Sequence, residues 1–331
     1  MRARMIPRLM VCVAILIAAA AAADAQSLVP WRHGTVAPKG DAGFFYMAAE
    51  GGFAKEQGLD LKMLAFQNDT LMLKALVAGE LDTFEGSPIS PLIAGAKGAD
   101  VKILGCSWIK LTYSFFSRPD IGSLADLKGR TIGISAPGSL PDFVARTMLR
   151  RAGVAPSDAK FVMAGSDPER IRAIVAKTID AAISTSDFAA RPELGLKSLA
   201  QASEVLPEFV RTCFTTRGDV VRTRPEQLVA FMAAEMKAYA HALNDRDAVI
   251  ALARRVAGLK DDDPTPAANF AEVVEHRSVS PQLEVDRAKF NWLRDLLAED
   301  GRLAVNFDPA TLIDGSIRER ALARIKPAGM P

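Results

Sequence analysis

The chain is poor in the residue types that most often carry chemistry. Its 331 residues hold three cysteines, three histidines, three tyrosines and three tryptophans. His33, His241 and His276 are scattered, and there is no H-x-x-x-H, paired C-x-x-C or G-x-S-x-G. Zinc hydrolysis, dithiol redox and α/β-hydrolase chemistry are therefore without a motif. A serine nucleophile would find no histidine base on any candidate loop. The sequence predicts no catalytic residue, no metal site and no cofactor. "GVAPSD" and the Gly-Gly of "EGGF" read as helix ends, not phosphate loops.

Charge of one sign is missing too. The formal net charge is +2, unlike the basic footprint of a nucleic-acid binder or a polybasic membrane patch. Long hydrophobic runs occur only at the start: Met10–Ala23, "MVCVAILIAAAAAA", is a 14-residue apolar run, short for a membrane span. Arg2, Arg4 and Arg8 precede it, and Ala23-Asp24-Ala25 follows the small-x-small cleavage pattern. Residues 1–25 are thus expected to be a secretory signal peptide, with Gln26 first in a soluble, exported mature chain. Cys12 lies inside the run, the wrong place for a lipoprotein cysteine. Without residues 1–25 the basic and acidic side chains are equal in number. Cys106 and Cys213 alone remain, too few for a disulfide framework; export permits a bond between them, but two buried thiols are the favoured reading.

What is present is a regular alternation. Leu59–Phe66, Val101–Cys106, Thr131–Ser135 and Lys160–Gly165 read as strands. Phe45–Gln57, Thr70–Gly79, Leu140–Gly153 and Pro168–Lys177 read as helices, with Gly58 and Gly153 at C-caps. This predicts an α/β fold with mostly parallel sheets. There is also an internal echo: "LKALVAGELDTF" (Leu73–Phe84) aligns without a gap to "IRAIVAKTIDAA" (Ile171–Ala182) at an offset of 98, pairing Lys74 with Arg172 and Asp82 with Asp180. Two lobes on one βαβαβ plan would produce it; a chance match of apolar helices would not account for the shared aspartate and matching flanks. Phe209–Arg217 reads as extended, and beyond Arg222 the chain is almost wholly helical. The expected organisation is one lobe from residues 26–112 and 217–331, a second from 113–216, two crossing strands between them, and a helical tail returning to the first lobe.

"FFYMAAEGGFAKEQGLDLKMLAF", "LKALVAGELDTFEGSPISPLIAGAKGADVKIL" and "SLADLKGRTIGISAPGS" resemble the periplasmic solute-binding proteins of the nitrate/sulfonate/taurine class of ABC importers. The resemblance covers essentially the mature chain, most densely from Gly43 to Gly138. It implies a two-lobed, type II-like periplasmic binding protein, a monomer that hands a small-molecule ligand to a permease in the inner membrane. The same fold serves a thiamin-pyrimidine synthase family, whose cysteine-rich signature and metal-binding histidines are not found here.

In open α/β sheets ligands sit beyond the carboxyl ends of the strands. Candidate ligand contacts are therefore Phe44, Phe45, Gln67, Asn68, Ser87, Pro88 and Trp108 in the first lobe, and Gly138, Ser139, Ser166, Asp187 and Phe188 in the second. Most are neutral donors or aromatics, suited to a small ligand held by hydrogen bonds and helix N-termini. Several have a second reading. Ser139 with Asp142, and Ser166 with Glu169, fit capping boxes; for Ser166 the cap is favoured, for Ser139 the ligand slightly. One of Phe44 and Phe45 is expected in the core and the other in the cleft. Trp108 is a hinge-packing residue or a ligand lid. Asp187 meets a ligand ammonium or caps a turn, and Arg118 belongs to a surface pair. The absence of Arg or Lys among these loops weakens a bare nitrate reading. The expected function is capture of a small organic anion for an ABC permease. The alternatives are a periplasmic sensing module for a receptor and a thiamin-pyrimidine-precursor-type binder or enzyme.

Overall fold

The computed structural model describes residues 27–325; the expected signal peptide lies outside the described residues. The first sheet is laid down by β1 (Val29–Val36), α1 (Ala42–Glu50), α2 (Phe53–Glu56), β2 (Leu59–Phe66), α3 (Asp69–Val77), β3 (Thr83–Gly86), α4 (Ile89–Ala96) and β4 (Val101–Trp108). The second follows with β5 (Tyr113–Ser117), β6 (Thr131–Ile134), α5 (Leu140–Arg151), β7 (Lys160–Met163), α6 (Asp167–Val175), β8 (Ala181–Thr185), β9 (Lys197–Gln201) and α7 (Ala202–Val205). The chain then returns through β10 (Thr212–Arg217), α8 (Gly218–Thr223), α9 (Pro225–Asn244), α10 (Arg246–Ala257), α11 (Thr265–His276), α12 (Arg287–Glu299) and α13 (Gly315–Ile325).

Both sheets have five strands, ordered β2-β1-β3-β10-β4 and β7-β6-β8-β5-β9. In each, three parallel strands meet a strand running the other way: β10 is antiparallel to β3 and β4, and β5 to β8 and β9. The helix expected over Phe45–Gln57 is two helices. Gly52 separates them at φ +85°, a left-handed conformation that glycine adopts without steric cost.

The internal echo has a physical basis. The Asp82 carboxylate accepts the Arg32 N–H at 2.8 Å midway along β1, and the Asp180 carboxylate accepts the Thr131 N–H at 2.7 Å at the head of β6. The backbone answers in kind, with Asp82 N–H to the Arg32 carbonyl and Asp180 N–H to the Thr131 carbonyl. Each aspartate thus ties the first of its sheet's three parallel strands (β1 or β6) to the start of the last (β3 or β8), and guanidinium groups neutralise both: Arg32 and Arg224 on Asp82, Arg118 on Asp180.

α9 supplies the centre of the first core. Leu228, Phe231, Met232, Met236 and Tyr239 fall on one face at helical spacing and are fully buried with Trp31 and Phe214. A second cluster runs across both sheets. It joins Ile89, Leu92 and Ile103 to Phe115, Phe143 and Phe209, and takes in Phe290, Leu293, Leu296 and Leu297 of α12. Arg150 on α5 meets Asp300 at 2.7 Å, and Arg302 meets Asp142 at 3.2 Å. The helical tail therefore does not only return to the first sheet: α12 joins the cluster shared by both, and the turn after it meets α5.

The thiol reading of the cysteines is corrected. Cys106 and Cys213 form a disulfide, because they are directly opposed on β4 and β10. The sequence separates them by 107 residues, so the pairing becomes visible only once the return of β10 beside β4 is known.

Candidate functional site

The loops that follow β1, β2, β3, β6 and β7 meet between the sheets and line a cavity of about 40 Å³. Gln67, Asn68, Glu85 and Ser87 line it from the first sheet, Ser135, Leu140, Asp167 and Arg170 from the second, and Tyr113, Arg211 and Thr212 from the crossings. Strand ends place the backbone there, and helix starts follow directly. The Asn68 side chain caps α3 by accepting the Leu71 N–H at 3.0 Å, a bond of a kind that contributes about 1 kcal/mol.

A line of alternating charges crosses the junction. Arg211 donates to Asp41; Lys39 lies 3.2 Å from Asp41 and 3.8 Å from Asp167; Asp167 accepts Arg170 at 2.7 Å. Burial alone would lower the pKa of Lys39, but Asp41 and Asp167 more than offset it and hold it above the usual lysine range. Burial likewise pushes Asp41 up, and Lys39 and Arg211 pull it below the ordinary carboxylate value. Arg211 is pinned further: Nη1 donates to Thr112 at 2.9 Å, and its guanidinium carbon lies 4.3 Å from the centre of a Trp108 ring. Arg170 spends its other nitrogens on the Ile183 carbonyl at 2.9 Å and the Gly165 carbonyl at 2.6 Å.

The acids of the cavity differ from these. Burial pushes Glu85 up to about 7 although Ser107, Tyr239 and Thr212 donate to it. Burial also pushes Asp69 up to about 6. Behind Glu85, Glu235 sits on the buried stripe of α9 with neither oxygen partnered; burial, with Glu85 nearby, raises it well above the carboxylate range.

Of the sequence-predicted residues, the structure brings Gln67, Asn68 and Ser87 to the cavity wall. Phe44 and Phe45 both enter the core: Phe44 stacks on Tyr239 and Phe270, Phe45 on Trp108. Trp108 is fully buried beside the crossing. Pro88 starts α4 as a buried N-cap. Gly138 takes φ +82° and gives its N–H to Asp142. The Ser139 hydroxyl donates to the Ala136 carbonyl at 2.7 Å and is turned into its own loop. Ser166 gives both its N–H and its hydroxyl to Glu169 at 2.6 Å, closing a capping box. Phe188 packs on Ile171 and Ile174.

Asp187 lies at the wall of a separate, larger groove of about 600 Å³ beside α11, not at the smaller cavity. It abuts Gly40, where any side chain would collide with its carboxylate. Neither of its oxygens has a partner, and burial, with Asp41 nearby, pushes it up to about 7. Its neighbour Ser186 reaches across to α11 and donates to Glu272 at 2.5 Å.

The expectation that the cleft loops carry no Arg or Lys is corrected by Lys39, Arg170 and Arg211. One signal was available: Arg211 is the lone charge in the run "FVRTCFTT" (Phe209–Thr216), and a buried charge at the start of a strand must have a partner. Arg170 looked like an ordinary residue of an amphipathic helix.

Comparison with known proteins agrees with this geometry. A curated relative, a putative binding protein of Brucella abortus (strain 2308), is 28% identical over 214 residues, which span 62% of this chain and 64% of the relative's length. The alkanesulfonate-binding protein SsuA from Xanthomonas axonopodis pv. citri, solved bound to MOPS, superposes with a TM-score of 0.72 at 19% identity, over 88% of this chain and all of that one. The desulfurization enzyme DszB superposes with a TM-score of 0.64 at 17% identity, over 90% of this chain and all of that one. The fold is thus shared by a binding protein and an enzyme. The NMT1/THI5-like family profile matches residues 40–249, more than half of the sequence, and the chain belongs to that family.

Proposed function

We propose that the protein is an exported, periplasmic solute-binding protein. It closes its two lobes over a small organic anion and presents the closed form to an ABC permease. The observation that carries this reading is the convergence of loops from both sheets, with the buried Arg170 and Arg211, on one small cavity between them. Ligand contacts made from both sides at once exist only in the closed form, so a ligand shifts the open–closed equilibrium toward it. The sulfonate-binding neighbour supports the cargo class. An enzyme on this fold is the second reading, favoured by the desulfurization neighbour; the cavity acids Glu85 and Asp69 would then be its titratable groups.

A thermal-shift screen over sulfonates, nitrate, carboxylates and pyrimidines tests the proposal. A ligand at 100 times its Kd stabilises the fold by about 2.7 kcal/mol. Stoichiometric binding without turnover is expected. Turnover of a bound sulfonate would replace the transport reading with the enzymatic one, and a shift from a pyrimidine alone would overturn the cargo class.

A further inference from the structure

Resting on the two-lobed closure proposed above, we propose that Asp187 is a proton-operated latch: as the neutral acid it is seated between the halves and holds them shut, and its ionisation opens them. The seam lies where the turn Ser186–Ala190, which follows β8 of the second sheet, packs on the first sheet's β1–α1 loop and on α11. Several contacts cross it. Asp187 seats against Gly40, whose missing Cβ leaves room for the carboxyl group. The Ser186 hydroxyl lies 2.5 and 2.6 Å from the two oxygens of Glu272. Arg191, just past the turn, lies 3.7 Å from Asp263 ahead of α11.

This seat has no place for an anion. Asp187 is buried, and among the described residues neither of its oxygens has a partner. Facing it are Lys39 and Asp41 from the β1–α1 loop and Glu272 from α11. The exposed His276 of α11, Lys110 of the crossing after β4 and the exposed Glu204 of α7 lie along the same groove. The cations nearby are committed elsewhere: Lys39 to Asp41 and Asp167, Lys110 to the His276 carbonyl at 2.8 Å, and Arg191 to Glu193 and Asp263. An ionised Asp187 would lie beside Asp41 and Glu272 with no cation of its own, and a buried charge without a partner is strongly disfavoured against the same charge in water. Parting the halves gives it water. Burial, with Asp41 nearby, holds the seated acid at about 7, against about 4 for an aspartate in water. The shut form therefore binds one more proton than the open form. Between those two values the open-to-shut ratio should rise about tenfold per pH unit, and cargo would be released as pH rises.

Small-angle X-ray scattering of the ligand-free protein from pH 5 to pH 8 tests this. The unaltered protein should be compact at pH 5 and reach a larger radius of gyration by pH 8. Asp187→Asn keeps the shape of the neutral acid and cannot ionise, so it should stay compact throughout. Gly40→Ala, whose new methyl group takes the carboxyl's seat, should show the larger radius already at pH 5. A radius of the unaltered protein that does not change with pH overturns the latch, and this result needs no variant to fold. An Asp187→Asn radius that grows with pH as the unaltered one does, or a Gly40→Ala radius that stays small at pH 5, overturns it too. Each of these failures leaves the solute-binding reading standing, because that reading is decided by ligand binding and not by the radius.

Discussion

Replacing both Cys106 and Cys213 by alanine should cost the protein a large part of its stability. The loop between them spans 107 residues and contains every strand of the second sheet. Closing a loop of that length removes chain entropy from the unfolded state worth about 4.8 kcal/mol at 25 °C. Truncating the two buried sulfurs adds about 1 kcal/mol at each position. Urea unfolding followed by circular dichroism reads the difference. The alanine pair should unfold at a clearly lower midpoint and with a steeper slope, since an uncrosslinked chain exposes more surface. Reductant separates the two contributions: it should lower the midpoint of the unaltered protein and leave the alanine pair where it is. An unaltered protein whose midpoint is the same with and without reductant would refute the reasoning, because two buried thiols behave in just that way.

Other measurements follow from the charges and caps. Arg211→Leu leaves Asp41 short of a buried partner and should cost about 3–5 kcal/mol in urea unfolding; a cost below 1 kcal/mol would contradict the charge line. Asp187, Glu85 and Asp69 are held at about 7, about 7 and about 6, above their unfolded values, so the folded state binds more protons. Stability should therefore fall as pH rises from about 4 to about 7, and Asp187→Asn should flatten that fall in thermal melts. Asp180→Ala removes the clamp on β6 and should cost about 1.5–3 kcal/mol, with faster amide exchange at Thr131 as its local signature. Glu169→Ala opens the capping box of α6 at a cost of about 1 kcal/mol, and unchanged melting would show that Ser166 caps the helix alone.

Periodicity carried the fold. Leu59–Phe66 as a strand matches the observed element residue for residue, and the echo at Asp82 and Asp180 points to two lobes of one plan, while the bond each aspartate makes emerges only in the structure. Local patterns could do this because strand alternation and helix starts are written within a few residues. The cleft was less legible. Its loops were located, yet the sequence reading ranked neutral donors there. The groups that wall the cavity include Glu85, Arg170 and Arg211, whose positions depend on strand pairing between residues far apart. Ser139 shows the opposite failure: its Pro-Gly setting suggested a ligand contact, while the hydroxyl closes a local turn. The disulfide was invisible for the same reason as Arg211, since both depend on β10 lying beside β4.

α12 changes the mechanics of the molecule. Two crossing strands define a line, and a body held at two points on a line can swing about it. The Phe290–Leu297 face and the Arg150–Asp300 and Arg302–Asp142 pairs add a third hold away from that line. For the proposed opening, the protein must first lift this bar or carry it along. On the proposed closure, the lifetime of the shut form depends on these partly buried ion pairs, one of them next to the cavity wall, and salt, which screens buried pairs much less than exposed ones, should change that lifetime only weakly.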